Sequence, residues 1–333
     1  MSASDTLTIL RASGKRLAKR VQADGEVEGY DNAFRHDAVE QRVNGLADVH
    51  DVLHELQHRY DCALVRGAIA DPARTRGIRR MVHPDRKTGD QPTLREQLRW
   101  YLPLDADGLP LPQGTDPLDL PACAAAVINL LPSCFKGAQH IVAATGSHTF
   151  KPGARLRLWF WLSRPVGYVE LVAWLHKAPV DRSIFRTAQL IYTAAPILPV
   201  GMQDPLPRRT VMVEGRSAVT VPPSTALAPS LRPSVPPPLP DTRDGNRYAR
   251  SALTLATVKV ASAPIDSRHP TAVAEAWGLA RLVHAGLLTE GEVKAALGWA
   301  IERAGKTREE AEKIVEWAVS QRADSGNLPA GVR

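Results

Sequence analysis

A proline-rich segment constrains the fold of this 333-residue chain more than any other feature. Eight of the twenty residues at 221–240 are proline, and Pro236-Pro237-Pro238 is an uninterrupted triplet. Proline fixes φ and lacks the backbone N–H donor, so the segment predicts an extended spacer, neither a helix nor a central strand. We therefore expect folding units at residues 1–220 and 243–325, a linker at 221–242 and a tail at 326–333.

The part before the linker alternates short apolar runs with helical stretches, a mixture that predicts an α+β or α/β fold. The predicted helices are residues 46–59, 123–131 and 169–177, and the predicted strands are residues 62–66, 101–105, 140–144, 155–162 and 210–213.

The part after the linker has apolar residues at helical spacing, which predicts helices at residues 246–261, 271–285, 290–304 and 308–322. Thr289 and Thr307 stand where N-caps belong, and Gly286 and Gly305 stand where helices end. We expect a small all-α module.

Composition excludes several classes of protein. No run approaches the roughly 20 apolar residues of a membrane span, and the first twenty residues do not form a secretory signal. Cys62, Cys123 and Cys134 lie far apart without a C-x-x-C pair, which argues against a disulfide framework or a cysteine zinc site and favours a reducing cytoplasm. The net charge of +7 is compatible with a polyanionic partner, and also with an ordinary basic enzyme.

The tetrapeptide Asp105-Ala106-Asp107-Gly108 follows an apolar run that we interpret as a strand. Side chains two apart on a strand point to one face, so Asp105 and Asp107 should project together at the strand end. Two close carboxylates repel each other unless a positive charge lies between them. Hard oxygen ligands suit Mg²⁺ or Mn²⁺, and a solvated turn is the alternative.

Two later segments supply partners for this carboxylate pair. A polar loop containing Ser147, His148 and Lys151 leads into a strand on which Arg155 and Arg157 share one face. Guanidinium forks suit a triphosphate, and an edge strand with solvated arginines is the alternative. Farther on, Asp181 offers the third carboxylate of a two-metal site, or else the N-cap of the following turn.

The segment His54-Glu55-Leu56-Gln57-His58 matches the H-E-x-x-H pattern of zinc proteases. An apolar stripe that includes Val49, Val52, Leu53, Leu56 and Tyr60 places the histidines mostly on the opposite, solvated side of the helix. A catalytic zinc needs a sheltered site and a third protein ligand, so we keep a zinc protease only as a less favoured alternative function.

The order and spacing of these motifs resemble the archaeo-eukaryotic primase superfamily, the primase-polymerases of phages, plasmids and integrated elements. Its Asp-x-Asp/Glu, small-x-His and hydrophobe-Asp motifs correspond here to Asp105/Asp107, Gly146-Ser147-His148 and Val180-Asp181. The surrounding sequences RLRLWFWLSRP, QLIYTAAP, DPLPRR and WGLARLVHAGLL are also similar to members of that family. The resemblance covers about residues 45–325.

The resemblance implies an RRM-like catalytic core with an α/β N-terminal subdomain at about residues 1–98, followed by an all-α domain. It implies a primase or polymerase that makes or extends primers on single-stranded DNA from NTPs or dNTPs in the replication of a mobile element. Because the chain has no P-loop, a separate helicase would unwind the duplex. The alternative is a non-catalytic replication initiator or DNA-binding protein that keeps the fold.

The resemblance also assigns roles to residues. Two Mg²⁺ or Mn²⁺ ions are expected at Asp105, Asp107 and Asp181. Nucleotide-binding residues are expected in the basic loop and strand: Ser147, His148, Lys151, Arg155 and Arg157. The basic N-terminal region and three further arginines, Arg79, Arg80 and Arg86, are candidates for contacts with the template backbone.

One departure from the family pattern leaves two alternatives. In many members the motif-two histidine lies at the start of the strand, eight residues before a proline. Counting back from Pro165 reaches Arg157 instead of His148. Either His148 reaches the triphosphate from the loop, or Arg157 makes that contact, and we favour Arg157.

Overall fold

The computed structural model describes residues 4–85, 87–227, 247–263 and 267–322. The chain divides into two compact units, residues 1–229 and 230–333. The first unit is mixed α+β with antiparallel sheets, and the second is helical. Within the described ranges, no helix has the length and apolar character that a membrane span requires.

All strands found among the described residues belong to the first unit. They are β1 (Asp5–Arg11), β2 (Arg20–Val21), β3 (Val27–Glu28), β4 (Asp37–Val43), β5 (Cys62–Val65), β6 (Ala68–Ile69), β7 (Leu94–Arg95), β8 (Arg99–Leu109), β9 (His140–Ala144), β10 (Ala154–Val166), β11 (Ile191–Tyr192) and β12 (Thr210–Val213). The helices of this unit are α1 (Leu46–Leu56), α2 (Leu120–Ile128), α3 (Tyr168–Trp174) and α4 (Ser224–Leu227), with 3₁₀ turns at Ser133–Phe135 and Arg182–Phe185.

Four antiparallel strands in the order β11-β5-β1-β4 form the first sheet. Leu7 and Ile9 of β1 belong to the large core of the unit, while Leu10 belongs to a smaller cluster with Leu17 and Leu190. This division follows from the alternation of side chains along a strand. Because β11 pairs with β5, the chain near residue 192 returns to the N-terminal part of the unit.

The second sheet has the order β12-β9-β10-β8 and is also antiparallel. Its 13-residue strand β10 is buried on both faces, with Leu156 and Phe160 on one and Trp159 on the other. The Phe160 ring packs on Phe135 with centroids 5.0 Å apart, and the Trp159 ring lies 6.1 Å from that of Tyr101. Burial of each such side chain contributes about 1.5–3 kcal/mol to the free energy of folding. The β8–β10 pair is therefore a stable part of the unit.

The described residues of the second unit form four helices: α5 (Arg247–Ala261), α6 (Arg268–His284), α7 (Glu290–Arg303) and α8 (Arg308–Gln321). Thr289 and Glu292 form a complete capping box at the start of α7, and Thr307 accepts a hydrogen bond from the Glu310 backbone at the start of α8. Gly286 and Gly305 have positive φ after helices α6 and α7. These N-caps and C-terminal glycines confirm the predicted end of α6, both ends of α7 and the start of α8, whereas α6 begins at Arg268, three residues before its predicted start at 271.

The α+β class and most predicted elements are confirmed, and three local predictions are wrong. Asp105 and Asp107 lie inside β8, not at its end, because pairing with β10 continues to Leu109. Ser224–Leu227 form a helical turn within the segment predicted to lack helices, since Pro222 and Pro223 precede the turn and interrupt none of its hydrogen bonds. Tyr60 is exposed because α1 ends at Leu56.

Candidate functional site

Charged side chains of opposite sign face each other across strands β8 and β10. In the antiparallel register, Arg155 lies opposite Asp107 and Arg157 lies opposite Asp105. Directly opposite residues on paired strands point to the same side of the sheet. We call the surface formed by these four residues the carboxylate–arginine face.

Each carboxylate of this face has a guanidinium partner. Arg157 donates from Nη2 to Asp105 Oδ1 at 2.8 Å and from Nη1 to the Tyr192 carbonyl oxygen. Arg155 donates from Nη1 to Asp107 Oδ1. The Asp105 side chain is 17% exposed and that of Asp107 is 64% exposed, so the inner pair is sheltered and the outer pair is open to solvent.

The same side of the two strands becomes apolar away from the charged end. Tyr101 and Pro103 of β8 lie opposite Trp161 and Trp159 of β10, and both tryptophans are buried. Trp159 therefore packs in the core and offers no exposed ring surface. The alternation of side chains thus makes this side of the strand pair apolar at one end and charged at the other.

Asp181 lies beside β8, but its carboxylate is engaged locally. Its backbone N–H donates to the Asp105 carbonyl oxygen at 2.9 Å. Its side chain accepts hydrogen bonds from the Ser183 backbone N–H (2.8 Å) and the Ser183 hydroxyl (2.7 Å) at the start of the 3₁₀ turn. The sequence left open a metal ligand or an N-cap at this position, and the structure shows the cap.

The Ser147–Lys151 loop holds its histidine in the interior. His148 is fully buried; its Nε2 donates to the Pro117 carbonyl oxygen (2.9 Å), and its Nδ1 accepts from the Arg155 backbone N–H (3.3 Å). Burial lowers the pKa of His148, which favours the neutral ring. Both ring nitrogens are occupied within the protein, and the exposed Lys151 lies at the end of the same turn.

The structure adds residues that no sequence motif indicated. Lys19 donates from Nζ to Ser147 Oγ at 2.9 Å and lies 5.8 Å from the centre of the Tyr30 ring. Burial lowers the pKa of Lys19, while the charges of Asp107 and Asp105 oppose that shift. Lys19 lies in the basic N-terminal region, so its charge was visible in the sequence, but its position beside residue 147 depends on tertiary contacts.

Two tyrosines flank the inner ion pair. Tyr30 stacks on Tyr192 with ring centroids 3.5 Å apart and planes 5° from parallel. Burial raises the pKa of the Tyr30 hydroxyl, which keeps it protonated. Since the Tyr192 carbonyl oxygen accepts from Arg157, the stacked pair is connected directly to the carboxylate–arginine face.

The donor chemistry of this face suits a hard divalent cation in part. Asp105 and Asp107 present carboxylate oxygens to one side, and Asp181 is adjacent through its backbone. Nevertheless, the described residues contain no group of three or more His, Cys, Asp or Glu side chains close enough to hold a metal ion. A three-carboxylate site therefore requires the Asp181 side chain to leave its cap.

The arginines predicted to contact a template have partners within the protein where the structure describes them. Arg79 forms ion pairs with Asp85 and Asp90, each at 2.8 Å. Arg80 donates to the Ala188 carbonyl oxygen at 2.6 Å, and burial lowers its pKa. Arg86 lies outside the described residues.

The H-E-x-x-H segment begins in the last turn of α1 and ends at His58, beyond the helix, and the apolar side of α1 is buried, as predicted. His54 and His58 are exposed and their rings lie 6.1 Å apart, with His54 Nδ1 2.9 Å from Gln57 Nε2. Since no third ligand accompanies them among the described residues, the structure favours a solvated histidine row over a catalytic zinc site.

No protein-family model and no curated protein matches this chain. Among solved structures, the chain is similar to the crystal structure of primase RepB', with 10% sequence identity over 98% of this chain and 91% of that chain. The TM-score of this comparison is 0.28, which is too low to establish a shared fold. The similarity therefore assigns neither a family nor an activity.

Proposed function

We propose that the first unit is a DNA-dependent primase-polymerase that makes or extends primers on single-stranded DNA by nucleotidyl transfer from NTPs or dNTPs. The observation that carries this proposal is the carboxylate–arginine face, where Asp105 and Asp107 lie opposite Arg157 and Arg155. The sequence motifs at these positions support the same function. An RRM-like core, a mobile-element context, a separate helicase and a cytoplasmic location belong to the proposal.

The basic residues of the face account for nucleotide binding. Arg155 and Arg157 present planar guanidinium forks, which bind phosphate oxygens in pairs. Lys19 adds a third cation beside Ser147. A triphosphate offers these cations a partner of higher charge than a carboxylate, so nucleotide binding exchanges the Arg–Asp pairs for Arg–phosphate pairs and frees the two carboxylates.

The freed carboxylates account for the chemistry. Asp105, Asp107 and, once its side chain leaves the cap, Asp181 would hold two Mg²⁺ or Mn²⁺ ions, which would activate a 3′-hydroxyl and neutralise charge on the departing pyrophosphate. Asp105 is the sheltered member of the pair, and Asp107 is open to the entering nucleotide. The stacked Tyr30 and Tyr192 are joined to the inner ion pair through the Tyr192 carbonyl oxygen, which accepts a hydrogen bond from Arg157.

A second candidate function follows from the neutralised state of the carboxylates. Both aspartates have arginine partners, and the Asp181 carboxylate caps a turn. This arrangement also suits a non-catalytic replication initiator in which ion pairs replace metal ions and hold β8 and β10 together. Such a protein binds DNA through other surfaces and incorporates no nucleotide.

Nucleotide incorporation by the full chain separates the two functions. Wild-type protein and Asp105→Ala/Asp107→Ala are incubated with primed and unprimed single-stranded DNA, ribo- or deoxynucleotides, and Mg²⁺ or Mn²⁺. We expect incorporation by the wild type and a loss of at least about 10²-fold in the double variant, because the metal-binding oxygens are removed.

The matched control is Asp24→Ala/Asp51→Ala, which removes two exposed carboxylates elsewhere in the same unit. It should incorporate nucleotides at the wild-type rate. A wild-type protein that binds DNA but incorporates nothing with either metal identifies the non-catalytic initiator. Equal incorporation by the wild type and Asp105→Ala/Asp107→Ala rejects this face as the active site.

A further inference from the structure

A second basic surface is formed by the segment that connects β6 with β7 and by Arg35, which precedes β4. It is a cleft of about 560 Å³ whose lining includes Arg35, Arg74, Arg76 and Arg79. We call it the arginine cleft. The charge of Arg79 is neutralised by ion pairs with Asp85 and Asp90, so the other three arginines carry the net positive charge of the cleft.

The backbone that carries these arginines is fixed to strand β4. The Ala38 N–H donates to the Thr75 carbonyl oxygen (2.7 Å), and the Gly77 N–H donates to Asp37 Oδ1 (2.8 Å). His36 and Ile78 exchange both backbone hydrogen bonds at 2.8 and 2.9 Å. The arginines therefore project from a positioned backbone, so less conformational entropy is lost when they bind a ligand.

The three remaining arginines have free donor groups. Arg35, Arg74 and Arg76 are exposed, and none of them forms an ion pair within the described part of the chain. Arg35 donates one hydrogen bond to the Gly77 carbonyl oxygen at 2.9 Å, which orients its guanidinium. Asp90, which also lines the cleft, is occupied by Arg79. These guanidinium donors therefore have no anionic acceptor among the described residues and are available to bind one from a ligand.

We propose that the arginine cleft binds the phosphate backbone of a single nucleic-acid strand. The three free guanidiniums come from two separate segments and line an open cleft, so they offer successive contacts to a chain of phosphates. A single small anion needs donors that converge on one point. The arginine cleft shares its partner with the proposed function, but it uses neither the carboxylates nor a nucleotide.

Strand binding by the full chain is measured by fluorescence anisotropy with a labelled single-stranded oligonucleotide, without nucleotide or divalent metal. Arg74→Glu/Arg76→Glu should weaken binding by at least about tenfold and reduce the slope of log K against log salt by about 1.4, since each phosphate contact with a single strand contributes about 0.7. Arg74→Lys/Arg76→Lys should retain most of the affinity and the slope, because both charges remain.

The matched control is Arg42→Glu/Lys136→Glu, which changes the net charge equally at two exposed positions of the same unit. It should weaken binding less than threefold and leave the slope unchanged. Equal effects of the two Glu pairs would overturn the proposal, because general charge would then explain binding. Displacement of the strand by an equimolar amount of inorganic triphosphate would also overturn it, in favour of a small-anion pocket.

Binding by Asp105→Ala/Asp107→Ala separates this proposal from the proposed function. The arginine cleft predicts wild-type strand affinity for that variant whether or not the protein incorporates nucleotides. A strand bound on the carboxylate–arginine face would instead change its affinity in that variant, because Arg155 and Arg157 lose their carboxylate partners and become free to bind phosphate. A change of more than about threefold in either direction would therefore reject the arginine cleft as the strand-binding surface.

Discussion

At the scale of single residues, the proposed function has two candidates for the contact with the triphosphate, His148 and Arg157. His148 has both ring nitrogens engaged in the interior, whereas Arg157 directs one nitrogen to Asp105 on the carboxylate–arginine face. A buried histidine with both ring nitrogens hydrogen-bonded stabilises the loop that precedes β10 and offers no free donor to a ligand. These contacts support the choice of Arg157, which stays a prediction until nucleotide binding is measured.

Paired substitutions test this assignment. Arg157→Lys keeps the charge but loses the fork, so we expect nucleotide affinity to fall about tenfold, together with a lower melting temperature because the hydrogen bonds to Asp105 and the Tyr192 carbonyl are disturbed. His148→Gln should lower the melting temperature, because a buried hydrogen bond of about 1 kcal/mol is disturbed, and should leave nucleotide affinity near the wild-type value. The opposite pattern in calorimetric titrations with nucleotide would assign the contact to His148.

At the scale of elements, the β8–β10 pair determines the geometry of the site. Its register places the two Asp–Arg pairs side by side, and the close approach at its open end depends on glycine. Gly153 has φ +78°, and a Cβ atom at that position would lie 2.8 Å from the backbone of Gly108. Gly108 has φ +75° and lies against the Arg155 guanidinium, so this glycine of the Asp-x-Asp-Gly tetrapeptide serves the turn geometry of the site.

Alanine at Gly153 therefore tests the pair as a unit. Gly153→Ala should lower the free energy of unfolding by about 3 kcal/mol, since it combines a left-handed backbone with overlap against another strand. Gly114→Ala has a similar φ of +83° with open space around it and should cost only about 1 kcal/mol. Urea denaturation compares the two variants, and equal losses would show that backbone conformation alone explains the effect.

At the scale of the whole molecule, buried histidines link the stability of the first unit to pH. His36 is 1% exposed, and neither of its ring nitrogens has a hydrogen-bond partner among the described residues. Burial, with a smaller contribution from the Arg80 charge, lowers its pKa from 6.5 to about 4. Burial also lowers the pKa values of His140 and His148. The folded state therefore binds fewer protons than the unfolded chain in mildly acidic solution.

The sign of the pH effect follows from this difference. Above the unfolded pKa of about 6.5 both states are neutral at His36, and as the pH falls towards about 4 the unfolded chain takes up a proton first. The free energy of unfolding therefore decreases as the pH falls from about 6.5 to about 4, by about 3 kcal/mol for His36. His36→Leu should reduce the acid-induced loss in urea denaturation by that amount, whereas the exposed His176→Leu should not. Parallel acid profiles for wild type and His36→Leu would contradict the prediction.

The sequence by itself determined the secondary-structure class, the helical second part and the residue types of the candidate site. Periodicity and capping residues are local, so residues 290–303 and 308–321 were predictable within a residue or two. The alternation along β8 and β10 likewise predicted that Asp105 and Asp107 share a side, as do Arg155 and Arg157.

Only the tertiary structure decided which of these side chains meet. The register of β8 with β10 is a non-local property, and it joined each aspartate to an arginine about fifty residues away. Packing also placed His148 inside, turned Asp181 into a cap and brought Lys19 to Ser147 across 128 residues. Side-chain burial and partner choice depend on the whole folded chain, and for that reason motif spacing alone left them open.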